Sequence, residues 1–203
     1  NLVIYSEDDS DAAFVCDNNG TIKDLYFLDV SSNITSNVNA ATIAVNNLGT
    51  ITRCFAKGSI TSAAAGGLVY YNKAAGIISD SQSMVDVTGN YVAGFVNYNL
   101  GTISSSYSTG TVTGTLTFKS LGDYDDLASL SIDSTTKIFI NDGSQYVYLG
   151  EWSTLNYGGV DDALVDDNGD ALYDEFFIVY STSVCAGGFV GSSIGGTITN
   201  CFS

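Results

Sequence analysis

The stretch "DDALVDDNGDALYDE", residues 161–175, is where side-chain type and spacing come closest to chemistry in this chain. Asp166, Asn168 and Asp170 alternate, and Asp174 follows four residues later. A hard cation such as calcium takes about six to eight oxygen ligands, and alternating Asp and Asn in a tight turn bring several to one side. Counted from Asp166, the sixth and twelfth positions of an EF-hand fall on Ala171 and Phe177, where that loop needs Gly and Glu. The arrangement is therefore a looser D-x-N-x-D loop. Two readings stand: a calcium site made of Asp166, Asn168, Asp170 and Asp174, or a solvated acidic turn.

Little else in the sequence is equipped for catalysis. There is no histidine, which removes Ser-His-Asp and Cys-His nucleophiles and the commonest general base. The adjacent acids Asp125 and Asp126 offer paired carboxylates for glycoside hydrolysis, but neighbouring acids in an acidic loop are usually just solvated. Arg53 and five lysines are scattered singly, so nothing lines a site for an anionic polysaccharide. No catalytic residue is assigned and no enzyme is expected. The cysteines Cys16, Cys54, Cys185 and Cys201 form no CxxC pair, so a zinc or redox motif is not expected. They are left as a disulfide framework of a secreted protein or as buried free thiols. Tyrosine is abundant, with 13 copies, and Tyr70, Tyr71, Tyr91, Tyr98 and Tyr107 are candidates for contacts with glycans or for core positions. "NGT" at Asn19 and "NIT" at Asn33 match the bare glycosylation pattern.

The elements that must position these residues are constrained by composition. The chain has 203 residues, 45% of them hydrophobic, enough to bury a core. Its net charge of -16 repels nucleic acid and anionic lipid. No run of 18 apolar residues occurs, so membrane insertion is not expected. No signal peptide is visible and residue 1 is Asn, which fits a processed form or a piece of something longer. There is no proline, as suits a fold in which nearly every backbone group joins a strand ladder.

The ladder is visible as a repeat. "FVCDNNGTIKDLYF" from Phe14, "IAVNNLGTITRCFA" from Ile43, "LVYYNKAAGIISDSQS" from Leu68, "FVNYNLGTISSSYS" from Phe95 and "FVGSSIGGTITNCFS" from Phe189 share one frame. Asn18, Asn47, Asn72, Asn99 and Ser193 hold one place. Gly20, Gly49, Gly76, Gly101 and Gly196 hold the next, and Ile22, Ile51, Ile78, Ile103 and Ile198 follow two residues later. A period of about 20–50 residues marks a solenoid or array, and alternation at period two marks strands. Stacked coils place asparagine on asparagine and isoleucine on isoleucine. Glycine and asparagine are expected to supply positive φ at the corners. The fold class is all-β: a β-solenoid of about five coils.

The repeat resembles the GLUG motif, in "AGGLV" at 65–69, "AGFV" at 93–96, "NLGTI" at 47–51 and 99–103, "SYS" at 106–108 and "AGGFVG" at 186–191. The resemblance covers residues 12–114 and 185–203 and is weakest in the first copy, which has "DLYF" where "SYA" is expected. It implies a bacterial secreted or cell-surface protein, adhesin-like in some members. Others in that family carry metalloprotease domains, whose zinc motif has no counterpart here without histidine.

Between Val112 and Ala186 the repeat is interrupted by a segment holding 13 of the 22 acidic residues against only Lys119 and Lys137. In it, "TKIFINDGSQYVYLGEW" reads as a hairpin, with Ile138 and Ile140 facing Tyr146 and Tyr148 across an Asp142-Gly143 turn. "EFFIVYS", 175–181, reads as a further strand. The segment is either a separate β subdomain or an extension of the solenoid's own sheets. The expected organisation is a strand and acidic linker at 1–11, coils one to four at 12–114, an acidic β insertion at 115–184 and coil five at 185–203. "NLVIYS" fits no place in the repeat, and coil five ends at "CFS". Head-to-tail stacking is thus expected, with Leu2, Val3, Ile4 and Tyr5 of one copy binding near Cys201 and Phe202 of another; the alternative is that the chain is a piece of a longer solenoid whose next coil follows in sequence. The function expected is an extracellular structural subunit of a fibre or stalk; the alternative is an adhesin-type module binding carbohydrate or protein.

If the acidic loop is a calcium site, calcium raises the melting temperature by binding the native state alone. Replacing Asp166 and Asp170 with Ala abolishes that shift. A melting temperature indifferent to calcium in the unaltered chain removes the site.

Overall fold

Each copy of the motif folds into one coil, and like residues meet from coil to coil. The structure is a computed structural model describing residues 2–4, 10–34, 38–116, 118–122, 137–141, 145–151, 176–179 and 185–203. Every regular element among them is a strand. The chain divides into two units, Asn1–Thr115 with Ser183–Ser203, and Leu116–Thr182.

The first unit is a parallel β-solenoid of five layers, about four full turns. Each layer crosses four faces. The first carries β5 (Asn39–Ala41), β9 (Ala64–Gly66), β13 (Tyr91–Ala93) and β22 (Cys185–Gly187), with Ala12 bridged to Ala40 ahead of them. The second carries β2 (Val15–Asn18), β6 (Ala44–Asn47), β10 (Val69–Asn72), β14 (Val96–Asn99) and β23 (Val190–Ser193). The third carries β3 (Thr21–Lys23), β7 (Thr50–Thr52), β11 (Ile77–Ser79), β15 (Thr102–Ser104) and β24 (Thr197–Thr199). The fourth carries β1 (Leu2–Ile4), β4 (Tyr26–Asn33), β8 (Phe55–Thr61) and β12 (Gln82–Gly89), then β16 (Tyr107–Ser108) and β17 (Val112–Gly114), both paired to β12.

The interior is built from columns. Ile51, Ile78 and Ile103 are stacked in register and fully buried, as are Ile43, Leu68 and Phe95 at the corner before the second face. The Phe95 ring lies flat on Phe189, centroids 4.7 Å apart. Burying each such side chain contributes about 1.5–3 kcal/mol, and it does so only when the coil on either side is in place.

Beside the isoleucine column runs a second one that is polar and equally buried. Asn18 Nδ2 donates to Asn47 Oδ1 (2.7 Å), Asn47 Nδ2 to Asn72 Oδ1 (2.8 Å), and Asn72 Nδ2 to Asn99 Oδ1 (2.8 Å). Asn99 Nδ2 reaches Ser193 Oγ at 3.4 Å. Three of the motif's glycines, Gly76, Gly101 and Gly196, make room for this ladder, while Gly49 lies against the Gly20 backbone. A Cβ on Gly76 would land on Asn72 Oδ1 and the Asn47 carbonyl, and one on Gly101 would lie 2.7 Å from Asn72 Nδ2. The expectation that these glycines supply positive φ is corrected: none of Gly20, Gly49, Gly76, Gly101 and Gly196 has it. The left-handed backbone sits one corner later, at Asp24, Arg53, Asp80, Ser105 and Asn200, with φ between 48° and 56°. Asp and Asn tolerate that region. The amides of the first four still bond across to the next layer, Asp24 to Thr52 O and Asp80 to Ser104 O among them, so the ladder turns the corner unbroken.

The N-terminal strand does have a place in the stack, contrary to the sequence expectation. β1 pairs in parallel with β4, Leu2 opposite Val30 and Ile4 opposite Ser32, and Ile4 is buried while Val3 faces out. The alternation of apolar Leu2 and Ile4 matches the inward positions of the fourth face. What hid it was the intervening acidic segment, which breaks the repeat's frame.

The second unit has a sheet of its own, antiparallel, in the order β18 (Phe118–Gly122), β21 (Phe176–Val179), β19 (Lys137–Asn141), β20 (Tyr146–Glu151). The hairpin is there, but its register differs from the expectation. Tyr148 lies opposite Phe139 and Tyr146 opposite Asn141. The last described pair is Asn141–Tyr146, the expected Asp142-Gly143 turn lies outside the described residues, and Ile138 is buried.

Asn72→Ala removes the middle of the buried ladder, leaving the Asn47 donor and the Asn99 acceptor without partners at about 1–3 kcal/mol each. Urea unfolding should show a loss of about 2–5 kcal/mol. Asn18→Ala, at the end of the ladder, leaves one buried acceptor, Asn47 Oδ1, and one exposed donor, Gly20 N, without this partner and should cost clearly less.

Candidate functional site

Asp166, Asn168, Asp170 and Asp174 lie outside the described residues, as do Asp125, Asp126 and Tyr5. Among the described residues no group of three or more Cys, Asp or Glu could hold a metal ion, and no helix is long and apolar enough to cross a membrane.

Where the sequence offered scattered tyrosines, the solenoid gathers three. In the second face Tyr71 and Tyr98 are in register, one layer apart, with ring centroids 5.9 Å apart, and Tyr70 meets Tyr98 edge-on at 5.8 Å. Lys73 Nζ sits 3.4 Å over the Tyr71 ring, a cation–π contact. Burial pushes the Tyr70 hydroxyl up to about 12, so it stays neutral and able to donate a hydrogen bond. Asp17, Asn46 and Ser192 continue the Tyr71–Tyr98 row on either side. The other two candidates are elsewhere: Tyr91 is on the first face, and Tyr107 on the fourth, stacked on Phe202 at 4.8 Å.

An ion pair joins adjacent layers at the left-handed corner. Arg53 Nε donates to Asp24 Oδ1 (2.7 Å) and Nη2 to Oδ2 (2.9 Å). The hydrogen bond from Arg53 holds the Asp24 carboxyl below its ordinary range. Both groups are exposed, so the pair fixes the corner more than it stabilises the fold.

All four cysteines are free. Cys54 occupies the place that Ser81 and Ser106 hold in the next two layers. Ser81 Oγ donates to Ser79 O (2.7 Å) and Ser106 Oγ to Ser104 O (2.8 Å); Cys54 Sγ reaches Thr52 O (3.4 Å) and Cys201 Sγ reaches Thr199 O (3.1 Å). Each hydroxyl also accepts an amide from the preceding layer: Cys54 N donates to Ser81 Oγ (3.1 Å) and Ser81 N to Ser106 Oγ (3.2 Å). The thiols stand in for hydroxyls in a structural ladder, and burial raises the Cys54 thiol, which suppresses thiolate chemistry.

The ends of the stack carry the remaining candidates. Phe202 is bridged to Tyr107 yet 62% exposed, and Ile194 and Ile198 in the same layer are 68% and 40% exposed. Ile198 belongs to the column whose inner members are fully buried. At the other end Val3, Phe14, Tyr26 and Leu28 are exposed. The sequence singled out Leu2, Val3, Ile4, Cys201 and Phe202 at the ends but not Ile194 and Ile198, whose places in the turn and the isoleucine column were the available signal. No family model, curated protein or solved structure matches this chain.

Cys54 and Cys201 are three layers apart, about 14 Å at the usual strand spacing, and a disulfide needs Cα atoms within about 7 Å. Peptide mapping of the oxidised monomer should find no Cys54–Cys201 bridge, and Cys54→Ser should leave the urea midpoint nearly unchanged. A bridge between them would overturn the layer order.

Proposed function

We propose that this chain is a structural β-solenoid of an extracellular or cell-surface fibre or stalk, elongated by stacking end to end with further copies of itself. It works as a rod, with no catalytic step. The observation that supports this reading most is the state of the columns at the ends. The isoleucine and asparagine columns run the length of the stack, and their last members, Ile198 and Ser193, lie in the outermost layer, open to solvent. Another layer stacked there would bury them as the inner members are buried. Open strand edges recruit further strands, and a heterologous contact of this kind propagates instead of closing.

The likeness of the repeats to the GLUG motif supports a secreted or surface location. Calcium in the acidic loop of Asp166, Asn168, Asp170 and Asp174 is proposed as an accessory ion. A second reading, an adhesin-type module, is favoured by the gathering of Tyr70, Tyr71 and Tyr98 on the second face, where tyrosine rings flanked by Asn and Asp offer stacking and hydrogen bonds to a sugar. A glycan array separates the readings: specific signal that is lost on Tyr98→Ala supports binding, and a blank array supports a purely structural role.

Size-exclusion chromatography and negative-stain imaging over a rising concentration series test the main reading. Thin, unbranched fibres that lengthen with concentration are expected. A chain that stays monomeric at high concentration, with calcium present, overturns it.

A further inference from the structure

We propose that Tyr71 and Tyr98 are a site of oxidative cross-linking: a one-electron oxidant of the peroxidase class, consuming hydrogen peroxide, joins their rings by a carbon–carbon bond and makes one covalent rung of two neighbouring layers. This modification goes beyond the readings above and needs neither stacking of copies nor a bound sugar.

The fold holds the two rings together before any chemistry. Tyr71 on β10 and Tyr98 on β14 are in register, with Val69–Val96 and Asn72–Asn99 paired on either side of them. The next residue in each strand is buried, and there Asn72 Nδ2 donates to Asn99 Oδ1 at 2.8 Å. That bond keeps the strands from sliding, so the rings stay opposite each other. Their centroids are 5.9 Å apart and their planes tilted by 54°. Both side chains are half-buried, fixed against the face yet open to a small oxidant. Rotation about χ2, whose wells are broad for tyrosine, is the motion that carries an ortho carbon of one ring to an ortho carbon of the other with the backbone left in place.

The step balances as follows. Each phenol gives one hydrogen atom, an electron and a proton, to the oxidant and becomes a tyrosyl radical. The unpaired electron is shared with the ring carbons ortho to the oxygen. One such carbon from each ring combines to form the new bond. The hydrogen on each of those carbons then passes through solvent to the oxygen, which restores both aromatic rings and both hydroxyls. The chain loses two hydrogen atoms in all, and one hydrogen peroxide is reduced to two waters.

Placement confines the coupling to this pair. Every other ring contact between two described residues includes a phenylalanine, which has no phenolic hydrogen to give. In the Tyr71–Tyr98 column the flanking layers carry Asn46 and Ser192, so the rung ends at two residues. Tyr70 also meets Tyr98, at 5.8 Å, but at 77°, and an edge-to-face approach offers one ring's face where the bond needs two edges. Burial of Tyr70, which pushes its hydroxyl up to about 12, makes it surrender its proton less readily. Lys73 Nζ lies over the face of Tyr71, and a bond formed at the ring edge leaves it there. The rung closes a loop of 27 residues, the same separation as between Asn72 and Asn99, and a cross-link of that kind restricts the unfolded chain.

The test uses the unaltered chain at high dilution, with photolysed tris(bipyridyl)ruthenium and persulfate as an oxidant small enough to reach half-buried rings. Blue dityrosine fluorescence is expected in the band that runs as a monomer on a denaturing gel. A digest should contain the peptide bearing Tyr70 and Tyr71 joined to the one bearing Tyr98, with the loss of two hydrogen atoms, and the coupled chain should have a higher urea midpoint. The fluorescent monomer should vanish in Tyr98→Phe and in Tyr71→Phe and persist in Tyr70→Phe. Persistence in Tyr71→Phe with loss in Tyr70→Phe overturns the assignment in favour of a Tyr70–Tyr98 bond. Coupling found only in multimers, through exposed tyrosines such as Tyr26 and Tyr148 of different copies, overturns the proposal. So does a digest of the unaltered chain that lacks the joined peptide although those exposed tyrosines have been oxidised, a result that stands whether or not the variants fold.

Discussion

The rest of the solenoid depends on a line of carboxamides that have nowhere to turn except along the axis. Asn47, Asn72 and Asn99 are buried, and an unpaired amide in that setting costs about 1–3 kcal/mol. Each is satisfied by the same residue one layer away, donor to acceptor, at 2.7 to 2.8 Å. That requirement permits only one arrangement of coils: parallel, one layer per repeat, with no slip in register. Apolar columns alone would tolerate a shifted partner; a carboxamide ladder does not, since a slip by one residue would point every Asn outward and bring an unpaired side chain in.

Spacing follows from the same line. The coil-to-coil offsets along the ladder are 29, 25 and 27 residues, yet the layers stay equally deep. Variation is absorbed elsewhere. The third coil's turn carries Lys73, Ala74 and Ala75, where the second has only Leu48 between Asn47 and Gly49, and the first coil has an irregularity between Phe27 and Val30 on the fourth face. The entire second unit enters between the fourth and fifth layers, after β17 and before β22, without disturbing the columns on either side. A fold whose contacts are only between neighbouring layers tolerates such an insertion.

Much of this was legible in the sequence because the ladder residues repeat. Asn, Gly and Ile at fixed places gave the coil, the direction of the columns and the site of the interruption. Three things were not legible. The reason for most of the glycines was misread, since crowding by a neighbouring coil leaves the same trace in sequence as a demand for positive φ. The left-handed corner is filled by Asp24, Asp80 and Asn200, which suit it, but also by Arg53 and Ser105, so no single residue type marks it. β1 belongs to the stack through a pairing across an acidic segment, and its three residues are too few to show a period. For function the sequence named residues at the ends and scattered tyrosines; only the stacking showed that Tyr70, Tyr71 and Tyr98 meet and that Ile194 and Ile198 join Phe202 at the open end.

The most direct test of the ladder is hydrogen exchange at the asparagine side chains themselves, followed by NMR on the Nδ2 protons. Those of Asn47 and Asn72 should exchange as slowly as the backbone amides of Ile51 and Ile78, through global unfolding alone, with Asn18 at the end of the line exchanging faster. Side-chain protons of Asn47 and Asn72 exchanging at the rate of solvent-exposed carboxamides, while the backbone of the same coils stays protected, would contradict the account.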